Sequence, residues 1–248
     1  MKKSVYLLFA FCLITAIPTT LFAQFEGKIK YATFDVENGV PESDEEFTVY
    51  FALNRIFLEG DKTYDVRNFQ TEGILVRMDM EDVVFFTGDE SALKISKADV
   101  DAMQQFFGKE SGDTGKESND FSFKRTGKTE SIHGLACEQF VFRDEDDPEK
   151  YTEVWMTKDL ETDLSSLVRS AETFFDGEDV PTGLLAQGYF PLKANFYNGN
   201  KLSGYLEATE VDETRSARAK VEVPAGIKVY NFQQYLFQRF SQSGKKQK

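Results

Sequence analysis

Apolar and polar residues alternate with a period of two along most of the chain. In residues 25–34, Ile29 and Tyr31 fall on one side of an extended strand, while Lys28 and Lys30 fall on the other. This alternation is typical of a strand with one buried face. The same pattern predicts further strands at 46–53, 55–60, 62–68, 73–80, 82–88, 121–126, 135–143 and 151–157, a hairpin over 189–211 and a last short strand within 217–230. Because turn-forming residues separate these short segments, we expect an antiparallel meander rather than alternating strands and helices.

Three segments repeat their apolar residues at the spacing of a helix instead. Residues 97–108, 159–175 and 231–240 each place large apolar side chains on one helical face. The apolar positions are Val100, Met103, Phe106 and Phe107 in the first segment, Leu160, Leu164, Leu167, Val168, Ala171, Phe174 and Phe175 in the second, and Phe232, Tyr235, Leu236 and Phe240 in the third. We expect these faces to pack on the sheet. The alternative for the second segment is a lid over a ligand cavity, and for the third it is a helix on a membrane surface.

The first residues have the order of regions found in a secretory signal peptide. Lys2 and Lys3 precede an apolar stretch at 5–17, and Ala23 supplies a small residue at a cleavage position. The apolar stretch is shorter than the roughly 20 residues that a membrane-spanning helix needs, so we favour a cleaved signal over residues 1–23 to a retained anchor helix. We therefore expect a periplasmic or secreted protein, cleaved near Ala23 and not stably inserted in a membrane.

The remaining residues, 24–248, are expected to form a single domain. Residues 108–120 contain no apolar side chain, and such a stretch cannot offset the entropy that its ordering would cost. This composition predicts a mobile loop at 108–121. It is the one candidate for a domain boundary, but neither half of the chain carries a complete set of strands and helices, so we favour one domain.

The charge and the aromatic content narrow the class of partner. The chain has 42 acidic and 29 basic residues, for a net charge of −13. This balance argues against nucleic acid or an anionic bilayer as the main partner. Phenylalanine occurs 24 times, and its large rigid apolar side chain suits either a thick core or the walls of a cavity.

Two reactive side chains lie four residues apart in the segment GKTESIHGLACEQFVF, residues 127–142. His133 is the only histidine, and Cys137 is the only cysteine outside the predicted signal peptide. A catalytic pair, half of a metal site and an ordinary strand are the three interpretations. Gly134 indicates a turn, which would hold His133, and the following residues alternate as a strand. A reactive thiolate requires an electropositive, accessible setting, so we expect Cys137 to be a buried core residue.

Most motifs that carry chemistry are absent from the sequence. A single histidine excludes three-histidine zinc sites, the zinc-binding His-Glu-x-x-His helix and the two-histidine iron site. There is no Cys-x-x-Cys, Gly-x-Ser-x-Gly or phosphate-binding glycine loop. The acidic residues at 144–149 lie between two predicted strands, and we expect a solvated hairpin loop there. The alternative is calcium held by Asp144, Asp146 and Asp147, without the glycine and distal glutamate of an EF-hand. We expect no catalytic residues, metal or cofactor.

Four segments of the second half resemble an uncharacterised secreted bacterial family, domain of unknown function 4412. They are GKTESIHGLACEQFVF (127–142), YTEVWMTKDL (151–160), GYFPLKANFYNGNKLSGYLEATEV (188–211) and VEVPAGIKVY (221–230). Their glycine-x-x-cysteine strand, tryptophan strand, hairpin and Pro-x-Gly ending are similar to the family pattern. That family resembles the lipoprotein-carrier (LolA/LolB-like) superfamily. The resemblance implies a curved, open antiparallel sheet that wraps its helices and encloses an apolar cavity, and it brings no catalytic or ligand-binding residues with it.

These observations together lead to an α+β fold, a half-barrel antiparallel sheet with two or three helices packed on its concave face. The function that we expect is a soluble exported carrier for an apolar ligand, such as an acyl chain, a lipid or the anchor of a lipidated protein. An envelope interaction or structural protein without a cavity is the alternative, and a carboxylate-dependent hydrolase comes third. The residues expected to line an apolar pocket are Phe85, Val100, Met103, Phe107, Trp155, Leu164, Leu167 and Phe174.

Overall fold

The computed structural model describes residues 25–66, 69–88, 90–99, 123–143, 147, 149–160, 182–185, 187–213, 215–235 and 237. Within these ranges, twelve strands form one open sheet in the order β12-β6-β5-β4-β3-β2-β1-β11-β10-β9-β8-β7. The strands are β1 (Gly27–Glu37), β2 (Val40–Ala52), β3 (Arg55–Val66), β4 (Phe69–Arg77), β5 (Asp82–Phe86), β6 (Ser91–Ser96), β7 (Phe123–Ile132), β8 (Leu135–Arg143), β9 (Lys150–Thr157), β10 (Phe190–Asn198), β11 (Lys201–Asp212) and β12 (Lys228–Asn231). Every neighbouring pair is antiparallel except β12 and β6, which are parallel.

The predicted open antiparallel sheet is confirmed, with three local differences. Residues 55–60 and 62–68 were expected as two strands, but residues 55–66 form the single strand β3. The turn-forming residues between them produce only a register shift in the pairing with β4, between Glu59 and Tyr64. Strand β6 was not predicted, because six residues show too little alternation to stand out. The last strand was predicted, but its parallel pairing was not, since strand direction depends on a distant partner.

The described helices are short. Thr182–Leu185 and Ala217–Lys220 each form one turn, and residues 97–99 and 232–235 are also helical. Most of the predicted helices at 97–108 and 159–175, the predicted loop at 108–121 and the predicted signal peptide lie outside the described residues. In the described ranges no helix is both long enough and apolar enough to cross a membrane.

The central residues of β4, β5 and β6 are buried on both faces of the sheet. On one side, the first face, Ile74 and Phe85 pack in an apolar cluster with Leu93. On the other side, the second face, Leu75 and Val84 pack in a separate cluster. Since successive strand residues point to opposite faces, a strand that is buried on both sides consists of consecutive apolar residues, as in β4 and β5.

The segment at 215–227 covers the second face and explains the parallel pairing of β12. Strand β11 ends near the centre of the sheet, whereas β12 lies at its edge. Between them Val221 is fully buried against Leu75 and Val84 of the second face. Three ion pairs tie the segment to the sheet: Arg218 to Glu26 at 2.8 Å, Lys220 to Glu59 at 2.9 Å and Glu222 to Arg55 at 2.5 Å.

Phenylalanine rings join distant parts of the chain in the largest core cluster. Phe51 of β2 meets Phe25, which precedes β1, with 5.5 Å between ring centroids. It also meets Phe190 at the start of β10, at 5.2 Å. Both contacts are edge-to-face, an arrangement that aromatic rings prefer over face-to-face stacking. The phenylalanine content therefore builds much of the core.

Candidate functional site

His133 and Cys137 lie where the sequence predicted and do not form a reactive pair. Cys137 is 1% exposed within β8, and its Sγ lies 3.7 Å from the carbonyl oxygen of Leu135. Burial raises the pKa of the Cys137 thiol to about 11, so it is protonated at neutral pH and a poor nucleophile. His133 lies in the turn between β7 and β8 with φ of 51°, and its Nε2 is bound to a backbone carbonyl.

That carbonyl lies at a gap between two strands. β10 pairs with β11 only as far as Lys193, opposite Glu207. Beyond that point His133 Nε2 lies 2.7 Å from the carbonyl oxygen of Ala208, and the Tyr31 hydroxyl donates to the carbonyl of Pro191 at 2.8 Å. A carbonyl only accepts, so Nε2 of His133 carries the proton. The two side chains replace ladder hydrogen bonds that the diverging strands do not make, and this is a structural role.

The thiol assignment predicts a modest effect of its removal and slow labelling. Cys137→Ala should destabilise the protein by about 1 kcal/mol through the small cavity that it leaves. A thiol reagent at neutral pH should label Cys137 of the native chain only at the rate of unfolding, because the group is buried and protonated. Mass spectrometry of timed samples, with denaturant as the positive control, measures this rate. Rapid labelling of the folded chain would contradict the structural role.

One of the three aspartates of the calcium alternative lies within the described residues. Asp144 and Asp146 of the calcium alternative lie outside the described residues, and Asp147 forms an ion pair with Lys150 at 3.1 Å. Across the described ranges, no group of three or more His, Cys, Asp or Glu side chains is placed to hold a metal ion.

A cavity of about 600 Å³ lies on the first face where β8 to β11 run side by side. The strand register aligns its floor, since Val154 of β9 pairs with Ala194 of β10, which pairs with Leu206 of β11. The apolar residues that line the cavity are Phe142, Val154, Pro191, Ala194, Phe196 and Leu206. Because the Ala194 side chain is small, it leaves space for the cavity between the larger side chains around it.

The cavity is partly open to solvent at its phenylalanine wall. Phe196 is 42% exposed, although phenylalanine is a residue that cores usually bury. Polar side chains, among them Arg143, Lys150 and Thr152, also line the cavity. The Arg143 guanidinium lies 5.0 Å from the ring centre of Tyr151. Apolar walls with a few polar groups are typical of small-molecule sites.

The two described residues among the predicted pocket residues lie elsewhere in the core. Phe85 is buried in the cluster of Ile74 and Leu93 on the first face of β5. Trp155 lies next to Val154 in β9 and so points to the opposite face, where Lys193 Nζ lies 4.9 Å from its ring centre. Neither side chain lines the cavity at β8 to β11. The other predicted pocket residues, Val100, Met103, Phe107, Leu164, Leu167 and Phe174, lie outside the described residues.

The residues that line the cavity were missed in the sequence, although a signal for them exists. The Asn198-Gly199 hairpin signal predicts that β10 pairs with β11, but Leu206 lies opposite Ala194 only because the register shifts between Phe196 and Tyr197. The alternation along β10 predicts that Ala194 and Phe196 share a face. It does not predict a cavity, because a cavity depends on what packs above the face.

The chain matches the family described as Domain of unknown function (DUF4412) over residues 69–227 and belongs to that family. No curated protein matches it. A structure of PNGF-II is similar at 17% identity with a TM-score of 0.43, over 83% of this chain and 31% of that chain, so this chain spans about a third of PNGF-II. MucB in complex with MucA(peri) is similar at 11% identity with a TM-score of 0.41, over 84% of this chain and 57% of that one. A LolA superfamily protein from Nitrosomonas europaea is similar at 11% identity with a TM-score of 0.25, over 78% and 88%.

Proposed function

We propose that this member of the DUF4412 family is an exported binding protein that holds the apolar chain of a ligand in the cavity at β8 to β11. The observation that carries the proposal is the cavity of about 600 Å³ with six apolar lining residues. Its volume falls in the range of roughly 300–1,000 Å³ typical of small-molecule sites. Each methylene that the ligand buries there contributes about 0.8 kcal/mol, so a long acyl chain is a suitable occupant.

The proposed arrangement of the sheet is a half-barrel with helices on its concave face. Its support is the connection between β9 and β10, which supplies Leu160, Leu184 and Leu185 to the largest core cluster. The predicted helix at 159–175 belongs to the same connection. Most of that predicted helix lies outside the described residues.

The proposed location is the cell envelope or the exterior, with cleavage near Ala23. The support is the order of the N-terminal regions, in which two lysines precede a short apolar stretch. A partner that fits this location is a free lipid or the anchor of a lipidated protein. The alternative, an interaction protein without a ligand, would leave the cavity at β8 to β11 unused.

Thermal unfolding with palmitate tests the proposal. At a free palmitate concentration of about 100 Kd, binding to the native state should add about 2.7 kcal/mol of stability. For a domain of this size that corresponds to a rise in Tm on the order of 5–10 °C. Ala194→Phe should remove the rise, because the added ring fills the cavity floor. Val40→Phe, on an exposed hairpin residue, is the control and should keep it.

Two outcomes would contradict the proposal. One is a Tm that palmitate leaves unchanged in the unaltered protein. The other is an equal rise in the Ala194→Phe variant, which would place the ligand elsewhere. Phe196→Ser serves as a second variant, since its partly exposed side chain can be replaced at little cost in stability.

A further inference from the structure

A strip of aromatic rings leads from the cavity along the first face towards the edge of the sheet. Phe142 lines the cavity, and its ring lies 6.0 Å from that of Phe123 on β7. The Phe123 ring lies 6.0 Å from Phe140, and Phe140 lies 5.0 Å from Tyr189. Phe123 is 43% exposed. Phe123 therefore extends the apolar surface of the cavity beyond Phe142, while Phe140 and Tyr189 are buried beneath the edge of the strip.

Two cations stand at the far end of this strip. Lys158 Nζ lies 4.4 Å from the ring centre of Tyr189. The Arg125 guanidinium lies 5.8 Å from the same centre and 5.5 Å from that of Phe140. A cation over an aromatic face is attracted to the electron-rich ring. The rings therefore fix the positions of both charges without neutralising them.

The carboxylate of Glu138 lies beside the two cations. Glu138 forms an ion pair with Arg125 Nε at 3.0 Å and accepts a hydrogen bond from the Tyr189 hydroxyl at 3.3 Å. That hydroxyl in turn accepts a hydrogen bond from Arg125. Across the part of the chain that the structure describes, Lys158 forms no ion pair. The carboxylate of its neighbour Asp159 accepts a hydrogen bond from the Ala136 N–H at 2.7 Å.

The cluster of Arg125, Glu138 and Lys158 thus carries one net positive charge, in a chain whose net charge is −13. Lys158 lies four residues after Val154 of the cavity floor, a distance of about 13 Å along an extended strand. A long-chain amphiphile can span a distance of this order over the exposed Phe123 ring, with its tail in the cavity and its head at Lys158. One negative charge on the head would balance the cluster.

We propose that the ligand is a single-chain amphiphile with a carboxylate head, and that Lys158 and Arg125 beside Tyr189 bind this head while the cavity at β8 to β11 binds the chain. This inference rests on the proposed function and adds the class of ligand to it. A carboxylate fits better than a phosphomonoester, because the latter carries up to two negative charges at neutral pH, whereas Glu138 already balances one of the two positive charges of the cluster.

Equilibrium titration of the full chain with three ligands of equal chain length tests the head group. The ligands are palmitate, hexadecanol, which has no charge, and hexadecyl phosphate. Palmitate should bind about tenfold more tightly than hexadecanol, the ratio expected from one charge-assisted hydrogen bond. Lys158→Gln should remove most of this preference and leave hexadecanol affinity unchanged. Lys124→Gln, an exposed cation on the same strand as Arg125, is the matched control and should keep the preference.

The outcomes separate this inference from the proposed function. Equal affinity for palmitate and hexadecanol, or a preference that survives Lys158→Gln, would overturn the head-group assignment and leave the cavity assignment intact. Tighter binding of hexadecyl phosphate than of palmitate would overturn the choice of carboxylate. Binding of none of the three ligands would overturn the proposed function, and the inference with it.

Discussion

Asp82→Asn is expected to destabilise the protein by about 3–5 kcal/mol. Asp82 binds Arg77 through two hydrogen bonds of 2.7 Å each, from Nε and Nη2. The two side chains are only 4% and 12% exposed, so water cannot replace the lost partner. The amide would leave the buried guanidinium without its directly bound counter-ion, and such a charge is costly. Chemical denaturation at constant pH measures the change in the free energy of unfolding.

The matched control for this substitution is an exposed ion pair. Arg218 binds Glu26 through two hydrogen bonds of 2.8 Å each, the same bidentate geometry, but the Arg218 side chain is about half exposed. Arg218→Gln should therefore destabilise the protein far less than Asp82→Asn does. Equal losses for the two variants would contradict the view that burial, rather than geometry, decides the strength of these pairs.

Phe140→Ala is expected to cost about 3–5 kcal/mol, the range for truncation of a buried phenylalanine. Phe140 is 1% exposed at the centre of β8. Its ring packs edge-to-face on Tyr189 and on Phe123, so the substitution leaves a cavity and removes both contacts. The same unfolding experiment measures the loss.

Phe123→Ala is the control for Phe140→Ala, since it removes the same side chain from a half-exposed position on the edge strand. It should cost much less than Phe140→Ala, because 43% of the Phe123 surface is already in contact with water. A loss as large as that of Phe140→Ala would show that the edge strand β7 is part of the cooperative core.

Local alternation was enough to predict most of the sheet. The strands β8 and β9 begin within one residue of their predicted starts, because each lies between clear turn signals. Strand β6 was missed, since a six-residue segment carries little periodicity. The pairing of β12 with β6 also depends on the path of residues 215–227 across the second face. That path cannot be predicted from the local sequence pattern.

The site was harder to predict than the sheet. Trp155 was chosen because it is large and apolar, yet its neighbour Val154 lines the cavity. The alternation predicts that the two residues point to opposite faces of the sheet, but it does not predict which face carries a cavity. That choice depends on how neighbouring strands align and on the register shift in β10 between Pro191 and Lys193. Both are long-range features of the fold.

The inert role of Cys137 was predicted because it needed only local reasoning. Leu135 and Gln139 share its face, and an apolar strand in an acidic protein offers no cation to stabilise a thiolate. The contact of His133 with the Ala208 carbonyl was beyond such reasoning, because the two residues are far apart in sequence. It required knowing that β10 and β11 diverge after Lys193.

Organic extraction of the full chain, purified without detergent and analysed by mass spectrometry, shows directly whether the cavity at β8 to β11 holds a lipid. We expect a single-chain lipid with an acidic head, recovered in near-equal amount with the unaltered protein and absent from the Ala194→Phe variant. Recovery of no lipid from the unaltered protein, or of the same lipid from both, would contradict the assignment of the cavity at β8 to β11 as a binding site.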